Sequence, residues 1–196
     1  MMIKGRNEMN ERIKEVAEKL AWRGFTVTCC ATGAEAKAHV LKVAETATTI
    51  GQGGSATLKQ LEIPEALAAL GKAPARQTMV DLFLLSANAI TADGRIVNID
   101  GNGNRVAASI NGPKKVLYVV GRNKIVDGGL DDAIARIKRC ACPPNARRLG
   151  KDTPCATGAC ADCDSAGRMC KVTVIFDRKP TGIDAEVVLV DEDLGF

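Results

Sequence analysis

Apolar residues recur along this chain with two periods, and the switches between them divide it into elements. Ile13, Val16, Ala17, Leu20 and Ala21 lie three and four apart with charges between them. That spacing predicts an amphipathic helix, ended by Gly24. FTVTCC (25–30) predicts a short buried strand. Thr32 and Glu35 have capping-box spacing ahead of a second helix, on which Ala36, Val40 and Val43 share a face. ATTIGQGGSATL (47–58) reads as a short strand, a glycine turn and a helix start. IPEALAALGK continues the helical pattern until Gly71 and Pro74 break it.

VDLFLLSANAI (80–90) is almost continuously apolar, as expected of a central strand covered on both faces. TADGRIVNID (91–100) predicts a hairpin turning at Asp93-Gly94, and KKVLYVVG (114–121) another buried strand. DDAIARIKR (131–139) opens with acids and closes with bases, which suits a helix dipole. VTVIF (172–176) and AEVVLV (185–190) are the last strands. This order predicts an α/β fold over residues 1–196 as a single domain: a Rossmann-like, mostly parallel sheet with helices on both faces. There is no internal repeat and no linker. The cysteine-rich segment 140–170 reads as an insertion near the sheet's edge.

Composition narrows the classes. Hydrophobic residues make up 46% and charged residues 26%, a globular balance. Aromatics are only 3%, so the core must come from Val, Ile, Leu and Ala. The net charge of +4 is mild, and no basic run is flanked by stacking aromatics, so no nucleic-acid partner is expected. No apolar run approaches the roughly 20 residues that span a bilayer, so no membrane partner is expected. The N-terminal MMIKGRNEMNERIKEV lacks the apolar core of a secretory signal. The expected location is cytoplasmic, where thiols stay reduced and a cysteine cluster binds metal more often than it forms disulfides.

Two stretches carry chemistry. GQGGSATL (51–58) follows an apolar stretch and opens a helix, where glycines let backbone N–H groups approach an anion. Ser55 and Thr57 add hydroxyls. The loop has neither P-loop nor dinucleotide spacing, and a plain strand-to-helix turn capped by Ser55 is an equal reading. CATGACADCDSAGRMC (155–170) places Cys155, Cys160, Cys163 and Cys170 as C-x4-C-x2-C-x6-C. Thiolates are soft ligands, and the opening C-x4-C-x2-C matches a plant-type iron–sulfur pattern better than paired zinc knuckles. An iron–sulfur cluster, favoured as 4Fe-4S, is therefore the expected cofactor, with zinc the alternative. Cys140 and Cys142 lie just upstream, close enough to replace or join the set, and their role is left open. Cys29 and Cys30 read as apolar filling.

His39 is the only histidine, on a predicted lysine-rich surface helix, so no Ser-His-Asp triad is expected. Arg105, Asp93, Asp100 and Lys124 are the polar residues nearest the predicted strand ends. Each suits a cleft as well as an ordinary turn.

GQGGSATL, the block from Val80 to Val126, PNARRLGKDTPCATGACADC and VLVDEDLGF together resemble the LUD (lactate utilisation) domain family, in particular its small stand-alone members. The resemblance covers roughly residues 10–196. It implies a fold similar to the CoA-transferase and ribose-5-phosphate isomerase superfamily, with a ligand cleft at the strand ends. It also implies that Gly51, Gly53, Gly54 and Ser55 hold a phosphate or acyl ligand. Relatives in lactate operons work with iron–sulfur partner proteins in oxidising lactate to pyruvate. CoA transferases use a glutamate nucleophile, and residues 86–110 contain none, so a glutamyl intermediate is not expected.

The expected ligand set is Gly51, Gly53, Gly54, Ser55, Thr57, Asn88, Asp93 and Arg105, taking a small anionic carboxylate or phosphate. The expected function is an iron–sulfur component of an oxidoreductase system for lactate or another 2-hydroxy acid. The alternatives are a non-catalytic ligand-binding or regulatory module with a structural metal, or a transferase or isomerase of acyl groups or sugar phosphates. Protein partners left open are an iron–sulfur protein and a second copy of the chain.

Overall fold

Strict alternation along three strands sets the architecture. The computed structural model describes residues 9–196. In it Phe83 and Leu85, Val116 and Tyr118, and Val187 and Leu189 face one layer, while their even or odd neighbours Leu84, Leu117 and Val188 face the other. Strands with both faces apolar must be covered on both sides. The result is a five-stranded parallel sheet in the order β1 (Thr26–Cys30), β8 (Asp184–Val190), β6 (Lys115–Gly121), β3 (Leu82–Leu85), β2 (Ile50–Gln52).

Helix α1 (Glu11–Trp22) buries Ile13, Val16 and Leu20 against one face. Helices α2 (Gly33–Ala44), α3 (Ala56–Gln60) and α4 (Ile63–Ala69) cover the other with Ala36, Val40, Leu58, Ile63 and Leu67. The cap of α2 follows its sequence: Thr32 Oγ1 accepts from Glu35 N, and Glu35 Oε2 accepts from Ala31 N. This is the expected α/β, Rossmann-like arrangement.

Three details differ from expectation. The run 80–90 is not one strand. It leaves the parallel sheet after Leu85 and enters a second, three-stranded antiparallel sheet as β4 (Ala89–Ile90), beside β5 (Ile96–Asp100) and β7 (Val172–Phe176). Asn88 fixes the switch, since its backbone N–H donates to Asn98 Oδ1 and its Oδ1 accepts from Ile99 N. FTVTCC forms an edge strand, so Phe25 and Cys30 are buried while Cys29 is exposed. His39 is not a free surface residue: its Nε2 lies 2.6 Å from Glu186 Oε1, on a carboxylate that Lys115 and Thr28 also hold.

Helix α5 (Asn104–Ile110) follows β5. Helix α6 (Leu130–Arg136) packs on the outer face of the small sheet, where Ala133 and Ile137 meet Ala89 and Val97. It then widens into a π-turn at Ile137–Ala141, where Cys142 N donates to Ile137 O. Pro143 and Pro144 lack the N–H groups that would continue the α-pattern there. Helices α7 (Cys142–Arg148) and α8 (Pro154–Thr157) lead into the cysteine segment, which enters β7 at the edge of the small sheet. No helix among the described residues is long and apolar enough to cross a membrane.

Candidate functional site

Parallel sheets place their ligand sites beyond the carboxyl ends of the strands. There the loops after β2, β3 and β6, together with the start of α7 and the end of the cysteine segment, enclose a cavity of about 310 Å³. Its charged lining is lopsided. Among the described residues, Arg76, Arg105, Lys124, Arg148 and Lys151 face a single acidic side chain, Asp100.

The glycines of the β2–α3 loop divide the work. A Cβ on Gly51 would lie 2.2 Å from Gln77 O, so this glycine exists to let the 75–77 segment pass. A Cβ on Gly53 would lie 2.9 Å from Arg105 Cγ, so Gly53 makes room for the arginine stem. Only Gly54 opens on the cleft, where a Cβ would meet nothing nearer than Arg148 Nη2 at 3.8 Å. Ser55 also lines the cleft, but its hydroxyl caps Leu58 N. Thr57 is fully buried behind the wall.

Arg105 builds the floor. Its Nε donates to Asp100 Oδ2, Nη1 to Ser86 O and Asn98 Oδ1, and Nη2 to Asn88 Oδ1 and Ile99 O, at 2.7–3.3 Å. Those are all five of its N–H groups. Arg105 thus clamps the β3–β4 switch to β5 and offers charge, not hydrogen bonds, to a ligand. Burial pulls its pKa down, against the pull of Asp100. Asn88 lines the cleft beside it.

Asp93 belongs elsewhere. It sits in the β4–β5 turn, paired with Arg23 at 2.8 Å and Arg95 at 3.3 Å, and is not part of the cleft. Turn chemistry accounts for it: Thr91 Oγ1 also donates to its carboxylate.

Lys124 sits deepest. It is 3% exposed, and its Nζ donates to Thr57 Oγ1 at 2.7 Å and Ser86 Oγ at 2.9 Å. Among the described residues no carboxylate pairs with it. Burial, then the nearby Arg136 and Arg105 charges, lower its pKa to about 7. Arg136 itself is held by the carbonyls of Asn88 and Asn123. The buried Gln52 Oε1, also at the cleft, has no partner among the described residues. Sequence reasoning named Lys124 only as a strand-end residue and missed Arg136, Arg148 and Gln52. Ser86, a polar residue inside an apolar run, was a further local signal of the cleft.

The thiols gather unevenly. Cys142 and Cys170 both line the cleft. Burial, with the neighbouring Cys170, Cys155 and Cys160, pushes the Cys142 thiol up to about 12. Cys155 is buried, with Thr153 Oγ1 at 3.4 Å from its sulfur. Cys163 is tied to Cys170 by Arg168, which donates to the carbonyls of both, and hydrogen bonding with Ser165 holds the Cys163 pKa down. All eight cysteines are free, and among the described residues no three His, Cys, Asp or Glu side chains already converge as a metal site.

The LUD domain family model matches residues 13–190. Among solved structures, the chain is similar to a DUF162 family protein from Deinococcus radiodurans, at 14% identity and TM-score 0.54 over 92% of this chain and 96% of that one. No curated protein matches the chain.

Proposed function

The chain belongs to the LUD domain family, a family involved in lactate utilisation, and from that membership we propose that its cleft binds a small carboxylate of 2-hydroxy or 2-oxo acid metabolism. The observation that carries this reading is the charge of the cleft. Among the described residues, five basic side chains face one acidic side chain, and the deepest cation, Lys124, has only hydroxyl partners. A buried cation without a counter-ion is costly, and an anionic ligand removes that cost. The ligand's contacts would come from Lys124, the loop at Gly54 and Ser55, and the rim residue Arg148, while Arg105 holds the floor in place.

The second part of the proposal is an iron–sulfur cluster held by Cys155, Cys160, Cys163 and Cys170, making the chain a component of a cytoplasmic oxidoreductase system. The donor chemistry fits, since thiolates suit such clusters. Three of these cysteines share the neighbourhood of Cys142, and Cys170 borders the cleft. A bound cluster would supply single-electron transfer. This chain's residues would hold it and set its distance from the ligand.

Thermal shift with lactate, pyruvate, inorganic phosphate and CoA tests the ligand. Stabilisation by the carboxylates supports the reading, and stabilisation by CoA alone overturns it. Iron and sulfide analysis of anaerobically purified protein tests the cluster. Colourless protein with stoichiometric zinc would overturn it.

A further inference from the structure

Lys124 has a chemistry that simple anion binding does not use. A buried ammonium ordinarily faces a carboxylate. Here, among the described residues, Nζ is bonded only to the hydroxyls of Thr57 and Ser86, and the charges acting on it are both cations, Arg136 on α6 and Arg105 on α5. Asp100 is turned to Arg105 and to the backbone of residues 102 and 103. Thr57 gives its own proton to Leu194 O, so toward Lys124 it acts only as an acceptor. Two acceptors engage two of the three positions on nitrogen, and the third is left for a lone pair. With the amine's pKa near 7, about half of it is unprotonated at neutral pH. Burial beside other cations is the environment that turns a lysine into a nucleophile toward carbonyl carbon.

The surrounding cleft adds a second requirement. A neutral ketone gains nothing from five basic side chains, whereas a carboxylate does. A 2-oxo acid meets both demands, because its electrophilic carbon is bonded directly to its carboxylate.

We propose that Lys124 forms a reversible imine with a 2-oxo acid bound in this cleft. The inference rests on the small-carboxylate reading above. The Nζ lone pair forms the C–N bond while the carbonyl π pair moves to oxygen, which takes up a proton given up by nitrogen. Loss of the resulting hydroxyl as water leaves C=N. Amine plus ketone gives imine plus one water, and nothing is oxidised or reduced.

Trapping tests it on the intact chain. Pyruvate followed by sodium borohydride is expected to leave one reduced adduct, mapped by peptide mass spectrometry to Lys124. Its yield should rise with pH through neutrality. Lactate has no carbonyl and should leave none, and acetone, which has no carboxylate, should trap far less. The Lys124→Met variant should lose the adduct; mapping on the wild type keeps the test valid if that variant does not fold. Adducts spread over surface lysines, or none at Lys124, would overturn the imine. Pyruvate that raises the melting temperature without being trapped at Lys124 would sink the imine and leave the carboxylate site standing. Pyruvate that neither binds nor traps would sink both.

Discussion

Arg105 and Lys124 share one cleft floor but differ in what they leave unsatisfied. Arg105 has every donor committed within the protein, so its loss is a structural event. Arg105→Lys keeps the charge but cannot reproduce the five-way fork, and the expected cost is about 2–4 kcal/mol in urea unfolding. A variant as stable as wild type would contradict the clamp. Lys124 is the reverse case, a charge that folding must desolvate. Its pKa falls from 10.5 to about 7 on folding. Below the lower value both states carry the proton and the full burial penalty applies. Between the two values the unfolded chain holds the proton and the folded chain does not, so stability rises with pH. Above 10.5 neither state is charged and the gain is complete. Lys124→Met is expected to abolish this rise, measured as unfolding free energy of both proteins from pH 6 to 10. Parallel pH profiles would refute it. None of this was legible in GRNKIVD, which reads as a polar turn after a strand. Its setting depends on the charge of Arg136 on α6 and on Thr57, itself bonded to Leu194 O, groups far from Lys124 in sequence.

At the level of elements, the long strands and the capped helix α2 were readable because alternation and capping are local. The split of 80–90 was not. Ser86 and Asn88 sit two apart, as same-face polar residues of one strand would. Only the side-chain bonds of Asn88 and Asn98 across to the second sheet show that they mark a departure. The glycine loop is the strand-to-helix turn its sequence reads as, but the separate reasons for its glycines depend on what passes behind them. These reasons make opposite predictions. Gly54→Phe should fold normally, since its site opens on the cleft, yet abolish carboxylate-induced thermal stabilisation. Gly53→Ala should push on the Arg105 stem and lower stability by about 1–3 kcal/mol. If Gly53→Ala is silent while Gly54→Phe unfolds the chain, the assignment of the two glycines is reversed.

The molecule as a whole puts a cationic cleft beside a thiol-rich segment, and the spacing C-x4-C-x2-C-x6-C alone could not say which thiols share a neighbourhood. Cys142 enters that neighbourhood through the π-turn, a feature set by two prolines rather than by any metal motif. Loading with iron should separate the sets: Cys163→Ala should lower bound iron sharply and Cys142→Ala should not, and the opposite result would exchange those two ligands. Whichever four would hold a cluster, a single one passes one electron at a time, whereas converting a 2-hydroxy acid to a 2-oxo acid removes two electrons and two protons. A base for the hydroxyl proton is commonly a histidine. The only one here, His39, is bonded to Glu186 and does not line the cleft. The chain also carries no dinucleotide fingerprint for a hydride acceptor. The expected division is that this chain holds the acid and relays electrons while a partner protein completes the oxidation. Purified protein with its cluster intact, lactate and an artificial electron acceptor should therefore turn over more slowly than about 1 per second, the low end of ordinary enzymes. Steady turnover above that rate without a second protein would place the whole reaction on this chain.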